Sequence, residues 1–196
     1  MNKTRLEAFS DAVIAIIMTI MVLELKIPKG TDLESLRPLF PGFIAYLLSF
    51  LYLGIYWNNH HHMLQATEKV NGKVLWANLH LLFWLSLIPF ATGWMGENQF
   101  APLPTAIYGV VLLFCAVAYA VLQATIVNPE GENELLTSAV GKDWKGKISI
   151  GLYVAAIPLA FVHRAIAGAL YVAVALMWLI PNRRIEEEIE KIEEHE

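Results

Sequence analysis

The sequence predicts an all-α membrane protein of six transmembrane helices, and three observations carry that reading. Of its 196 residues, 57% are hydrophobic and only 16% are charged, against roughly 45–50% and 25% in soluble domains. The mean hydropathy is +0.51. Uncharged intervals recur between Arg37 and Glu68, between Lys73 and Glu97, and between Glu97 and Glu130. Each exceeds the roughly 20 residues a helix needs to cross a hydrocarbon core of about 30 Å. A disordered chain and an ordinary soluble enzyme are excluded together.

The first apolar block is the anomaly. Only 12 residues separate Asp11 from Glu24, so a spanning helix must run from Leu6 to Ile27 and carry ionisable groups. Such groups normally face protein or water rather than lipid, which predicts an inner helix. The block lacks a small-residue cleavage site and is expected to remain as a span rather than a signal peptide. The second, third and fourth spans hold the runs Phe43–Trp57, Leu75–Trp94 and Ala106–Val127. Between Lys147 and Arg164 lie 16 uncharged residues, and Ala165 to Asn182 gives 18 more. These read as two shorter spans joined by a tight turn at His163-Arg164, the first bent by Pro158.

Residues 1–181 thus form one transmembrane domain, followed by a tail, 182–196. In the tail Ile185, Ile189 and Ile192 recur at helical spacing, a short amphipathic stripe. A further surface helix is possible within 128–147. Alternate connections carry ten basic residues (Lys3, Arg5, Lys69, Lys73, Lys142, Lys145, Lys147, Arg183, Arg184 and Lys191) against four (Lys26, Lys29, Arg37 and Arg164). The excess of basic residues on cytoplasmic loops then predicts that both termini are cytoplasmic.

The net charge of −4 offers no polycation for nucleic acid. The lone Cys115, within an apolar run, reads as a buried inert thiol. Consecutive His60, His61 and His62 point about 100° apart on a helix and cannot converge on one ion. His80 has no acidic residue at a ligand spacing. No catalytic triad order and no phosphate loop is present, so neither an enzyme nor a metal cofactor is expected.

Arg5-Leu6-Glu7-Ala8-Phe9-Ser10-Asp11 opens the first span. Ser10 and Asp11 read either as helix-start polar residues or, since Asp11 lies a turn inside the helix, as a buried cluster. A buried carboxylate needs a donor; Trp57, His60, His61, His62 and Asn78 are candidates on the same side, and Arg5, His60 or Asn78 is the expected contact. At 100° per residue, Phe9, Ala12, Ile16, Ile20, Leu23 and Ile27 fall within about 40° of one direction, with Thr19 about 60° from Ile16. Periodicity alone does not decide whether that stripe faces lipid, other spans or a lumen.

Arg5-x-x-x-Phe9-Ser10-Asp11 resembles the signature of the transmembrane protein 175 family of potassium channels, in its single-repeat prokaryotic form. Trp57-Asn58-Asn59-His60 resembles the family's Trp-x-x-His region. Trp76-Ala77-Asn78-Leu79 with Leu87-Ile88-Pro89-Phe90 resembles its third span. The resemblance implies a homotetramer of six-span subunits in a bacterial inner membrane, with a central potassium-permeable pore lined by the first helix. It places the constriction at Ile16 and further layers at Ile20 and Leu23, with Thr19 near the first. It places Arg5, Phe9, Ser10, Asp11, Trp57, His60 and Asn78 in a polar network beneath the pore, His60 being favoured among the three histidines. The family lacks the Thr-Val-Gly-Tyr-Gly filter, and so does this sequence. No cofactor is implied beyond the permeant potassium ion. The competing reading is a secondary or proton-coupled transporter using Asp11 and His60.

Overall fold

A computed structural model describes residues 2–65, 67, 70–126 and 144–179, and all regular structure among them is helical. Seven α-helices make six spans: α1 (Lys3–Leu23), α2 (Phe40–Gln65), α3 (Gly72–Ser86) with α4 (Ile88–Glu97), α5 (Pro102–Ile126), α6 (Trp144–Val162) and α7 (Arg164–Leu179). Five spans have the length and apolarity to cross a membrane; α7 is the shorter sixth. The protein is a multi-pass membrane protein. The 182–196 tail and most of the 128–147 connection lie outside the described residues.

Local chemistry sets the ends. Asn2 caps α1, its side chain accepting from the Thr4 amide at 3.2 Å, and Asn71 caps α3 through the Val74 amide at 3.0 Å. Such caps satisfy amides that have no partner within the helix. The helix α1 begins earlier and ends earlier than Leu6 to Ile27: Glu24 is its C-cap, outside the 21 helical residues. At 1.5 Å per residue these reach about 31 Å; the extension past Asp11 lies wholly at the N-terminal end, to Lys3, and takes Arg5, Glu7 and Asp11 into the helix. Between α1 and α2 a 3-10 segment, Leu33–Leu39, is capped by Asp32. Ser35 donates to the Asp32 carboxylate from both its amide and its hydroxyl, holding that carboxyl below the ordinary carboxylate range.

The third span is broken. Pro89 has no amide to offer the Leu85 carbonyl, and its ring crowds the preceding turn. Leu87 instead turns its amide to the Trp84 carbonyl at 3.2 Å, ending α3 and serving as the first cap of α4. The sequence reading had one continuous span there. Pro158, by contrast, lies inside a continuous α6, and the chain reverses at His163 as expected.

In lipid there is little hydrophobic drive between helices, so close packing of small residues holds them together. The helix α5 sits centrally, against α3, α4, α6 and α7. Ala118 of α5, Ala156 and Ala160 of α6, and Ala167 and Ala175 of α7 are all buried. Between α2 and α4 the backbones nearly touch: a Cβ added at Gly96 would stand 2.7 Å from the Gly42 Cα. Four tyrosines (Tyr52, Tyr108, Tyr153 and Tyr171) fill the centre at 2% exposure or less. Their hydroxyls are partnered where a dry interior demands it: Tyr52 donates to the Tyr171 carbonyl, and Tyr171 to the Thr105 carbonyl. Cys115 is buried in α5.

Connections that the alternating-side reading puts together are in contact. Lys3 donates to the Gln65 carbonyl. At the other end Lys26 pairs with Glu97 at 3.0 Å, and Arg164 donates to the Gln99 carbonyl at 3.1 Å.

Candidate functional site

The helix α1 lies at one edge of the bundle, packed on α2, α3 and α4. Its two faces differ sharply. Leu6, Ser10, Ile14, Ile17 and Met21 are buried at 3% exposure or less. Ile16 is 58% exposed, Ile20 41% and Leu23 77%, with Phe9 and Ile27 on the same side. In a single copy of the chain α1 is covered on one face only, because α2, α3 and α4 all lie on that side, so its open stripe does not face other spans of the same chain. Thr19 is exposed as well, its hydroxyl bonded back to the Ala15 carbonyl at 2.8 Å.

Beneath the buried face, three helices contribute one side chain each to a linear chain of hydrogen bonds. The Asn78 Oδ1 of α3 accepts from His60 Nε2 of α2 at 2.7 Å. The Asn78 Nδ2 donates to Ser10 Oγ of α1 at 2.9 Å, and Ser10 donates to the Leu6 carbonyl at 2.9 Å. All three residues are at 1% exposure or less. Because the amide oxygen only accepts, the His60 Nε2 carries a proton.

Asp11 is paired elsewhere. Its carboxylate accepts from the Trp57 indole at 3.0 Å, and Trp57 stacks on His61 with ring centroids 6.2 Å apart. Neither Arg5, His60 nor Asn78 donates to it. Arg5 and Phe9 stand outside both hydrogen-bonded groups, each exposed. The physical reason is angular: both lie within about 20° of Ile16 around α1, on the uncovered face. His62 is partly buried, with its Nδ1 unpartnered. His80 accepts from the Trp84 indole at 2.9 Å. Among the described residues no three of His, Cys, Asp and Glu come together as a metal site.

A second polar chain escaped the sequence reading. Tyr108 and Ser49 are hydrogen-bonded at 2.9 Å, and Ser49 and Thr92 at 2.7 Å, with Thr92 also 2.7 Å from the Ile88 carbonyl. These hydroxyls tie α2, α4 and α5 together on the α4 side of the break at Leu87. Only the presence of Ser49 and Thr92 inside apolar spans could have signalled them.

Comparison with known proteins adds independent information. A family described as "Endosomal/lysosomal potassium channel TMEM175" matches residues 5–89. A potassium channel of a Chryseobacterium species is 54% identical over 191 residues, 97% of this chain and all of that one. The endosomal/lysosomal proton channel TMEM175 of Danio rerio is 34% identical over 133 residues, which span 64% of this chain and 24% of that longer one. The crystal structure of a lysosomal potassium-selective channel TMEM175 homologue from Chamaesiphon minutus matches with a TM-score of 0.77 and 26% identity. It covers 90% of this chain and 96% of that one.

Proposed function

The chain belongs to the TMEM175 family, whose members are ion channels and not enzymes, and from that premise we propose that it is a potassium-permeable channel. Four copies assemble around a central axis, each turning the uncovered face of α1 inward. The observation that carries this reading is the exposure contrast along α1, with Ile16, Ile20 and Leu23 open and Ile14, Ile17 and Met21 packed. Alone, the open stripe would suit lipid equally. Family membership favours a lumen.

In that arrangement Ile16 forms the narrowest ring, followed by Ile20 and Leu23, and no Thr-Val-Gly-Tyr-Gly filter is used. An apolar ring offers an ion no ligands to replace its hydration shell, so a dry neck is a barrier and a wet one conducts. The Thr19 hydroxyl donates to its own helix, leaving its oxygen as an acceptor near the first ring. The Ser10–Asn78–His60 chain fixes the rotation of α1 against α2 and α3, which sets the direction in which Ile16 points. Asp11 and Trp57 stand at the same end, half-buried and exposed respectively.

Passive potassium flux into liposomes holding the purified protein, driven by voltage, tests the activity. Particle images with fourfold symmetry test the assembly, and a monomer overturns the shared pore. For orientation in a bacterial inner membrane, Asn98→Cys should react with an impermeant thiol reagent on intact cells while Thr4→Cys should not. The reverse pattern overturns cytoplasmic termini.

A coupled transporter is the second reading. The observation in its favour is the discontinuous third span, with the Thr92 and Ser49 hydroxyls beside the break, since transporters build midplane sites from broken helices. Flux that follows a proton gradient with a fixed stoichiometry, and not voltage alone, would establish it.

A further inference from the structure

At the end of the subunit opposite the Ser10–Asn78–His60 chain, the close of α1, the 3-10 segment, the start of α2 and α4 enclose a groove of about 510 Å³. That volume falls within the roughly 300–1,000 Å³ of small-molecule sites. Its walls are apolar and aromatic, including Leu39, Phe43, Tyr46 and Pro89. The polar group in its floor is already occupied, because the Thr92 hydroxyl is bonded to the Ile88 carbonyl and to Ser49.

Charge enters only at the rim, from Glu24, Lys26 and Glu97. Lys26 and Glu97 pair with each other at 3.0 Å. Glu24 has no ion pair among the described residues, and its carboxylate leans over α4: a Cβ added at Gly93 would stand 3.9 Å from the Glu24 Oε2 and near no other atom. One carboxylate without an ion pair therefore overhangs an apolar trough, and the Lys26 ammonium, paired with Glu97, lines the same groove.

We propose that this groove is a binding site for an aminophospholipid of the phosphatidylethanolamine type. One acyl chain lies between Phe43, Tyr46 and Pro89, the lipid ammonium meets Glu24, and the phosphate shares the three-donor Lys26 ammonium with the half-exposed Glu97 carboxylate. Both signs of the headgroup then find an opposite charge. An anionic lipid without an ammonium would bring its phosphate to Glu24 unopposed. An apolar helix of a second copy seated here would bury Glu24 without a partner, which is costly.

Native mass spectrometry of the purified protein, titrated separately with phosphatidylethanolamine and phosphatidylglycerol, tests the assignment. The wild type should retain several-fold more of the former, and Glu24→Gln should abolish the preference. Gly93→Leu fills open space and should lower retention of both lipids. Equal retention of the two lipids by the wild type overturns the proposal before any variant is made. An unchanged preference in Glu24→Gln, or undiminished retention in Gly93→Leu, also overturns it. A crosslink between copies through a cysteine at Leu39 would mean that a second subunit covers the groove, and would equally overturn it.

Discussion

Asn78 accepts a hydrogen bond from His60 and donates one to Ser10, so its amide fixes a single arrangement of three helices. Asn78→Leu keeps the volume and strands the His60 donor in a buried site. An unmet buried donor costs about 1–3 kcal/mol. Ser10→Ala likewise strands a buried donor, the Asn78 amide hydrogen, and should cost a similar amount. Thermal unfolding in detergent should place both variants below the wild type. If Asn78→Leu melts with the wild type, the chain of bonds does not hold α1 in place.

The two faces of α1 should answer differently to the same substitution. Ile16→Asn puts oxygen and nitrogen ligands on the uncovered face, and conductance should rise while the preference for potassium over sodium falls. Ile17 is 3% exposed, so Ile17→Asn buries an amide without partners and should lower the yield of assembled protein. Reversal potentials and currents from reconstituted channels decide the first, and size-exclusion profiles the second. Altered permeation in Ile17→Asn together with unchanged permeation in Ile16→Asn would reverse the assignment of the pore face.

Gly42 and Gly96 face each other, but they are not equivalent. A Cβ at Gly96 meets the backbone of Gly42 at 2.7 Å, whereas one at Gly42 meets nothing within 4 Å. Gly96→Ala must push α2 and α4 apart, an overpacking cost of about 1–3 kcal/mol. Gly42→Ala should be neutral or slightly stabilising, since alanine is the better helix former by about 1 kcal/mol. Melting temperatures of the two single variants check the asymmetry, and equal losses would refute it.

The C-terminus of α4 closes with Phe100 donating to the Met95 carbonyl at 2.9 Å and Gln99 to the Gly96 carbonyl at 3.2 Å. This paired pattern normally carries glycine in the left-handed position. Here Gln99 occupies it at φ 51°. Gln99→Gly relieves that strain and leaves the carbonyl that Arg164 binds. A gain of about 0.5–1 kcal/mol is expected, read as a raised midpoint of thermal unfolding. A lowered midpoint would show that the Gln99 side chain does more than tolerate the turn.

The spans were legible because charge is too costly in hydrocarbon to be placed carelessly, and intervals such as Lys73 to Glu97 mark it plainly. The break inside that interval was not legible, because proline is tolerated in membrane helices and spacing does not tell a bend from a break. The wheel isolated the Ile16–Ile20–Leu23 stripe, yet it could not say which side neighbours would cover. That depends on where α2, α3 and α4 pack, which is tertiary information. The pairing of Asp11 had the same fate. The need for a donor followed from its chemistry, but only the approach of α1 and α2 selects the Trp57 indole over the guanidinium of Arg5.

The burial of Cys115, the chain's one thiol, has a consequence for how copies of this chain can be joined. A thiol enclosed in the interior of one folded chain has no route to another copy's, so copies of this chain have no covalent link through sulfur and any oligomer is held without disulfides. Its population must then follow mass action in the plane of the bilayer, falling as the protein is diluted with lipid, and must be indifferent to reducing agents.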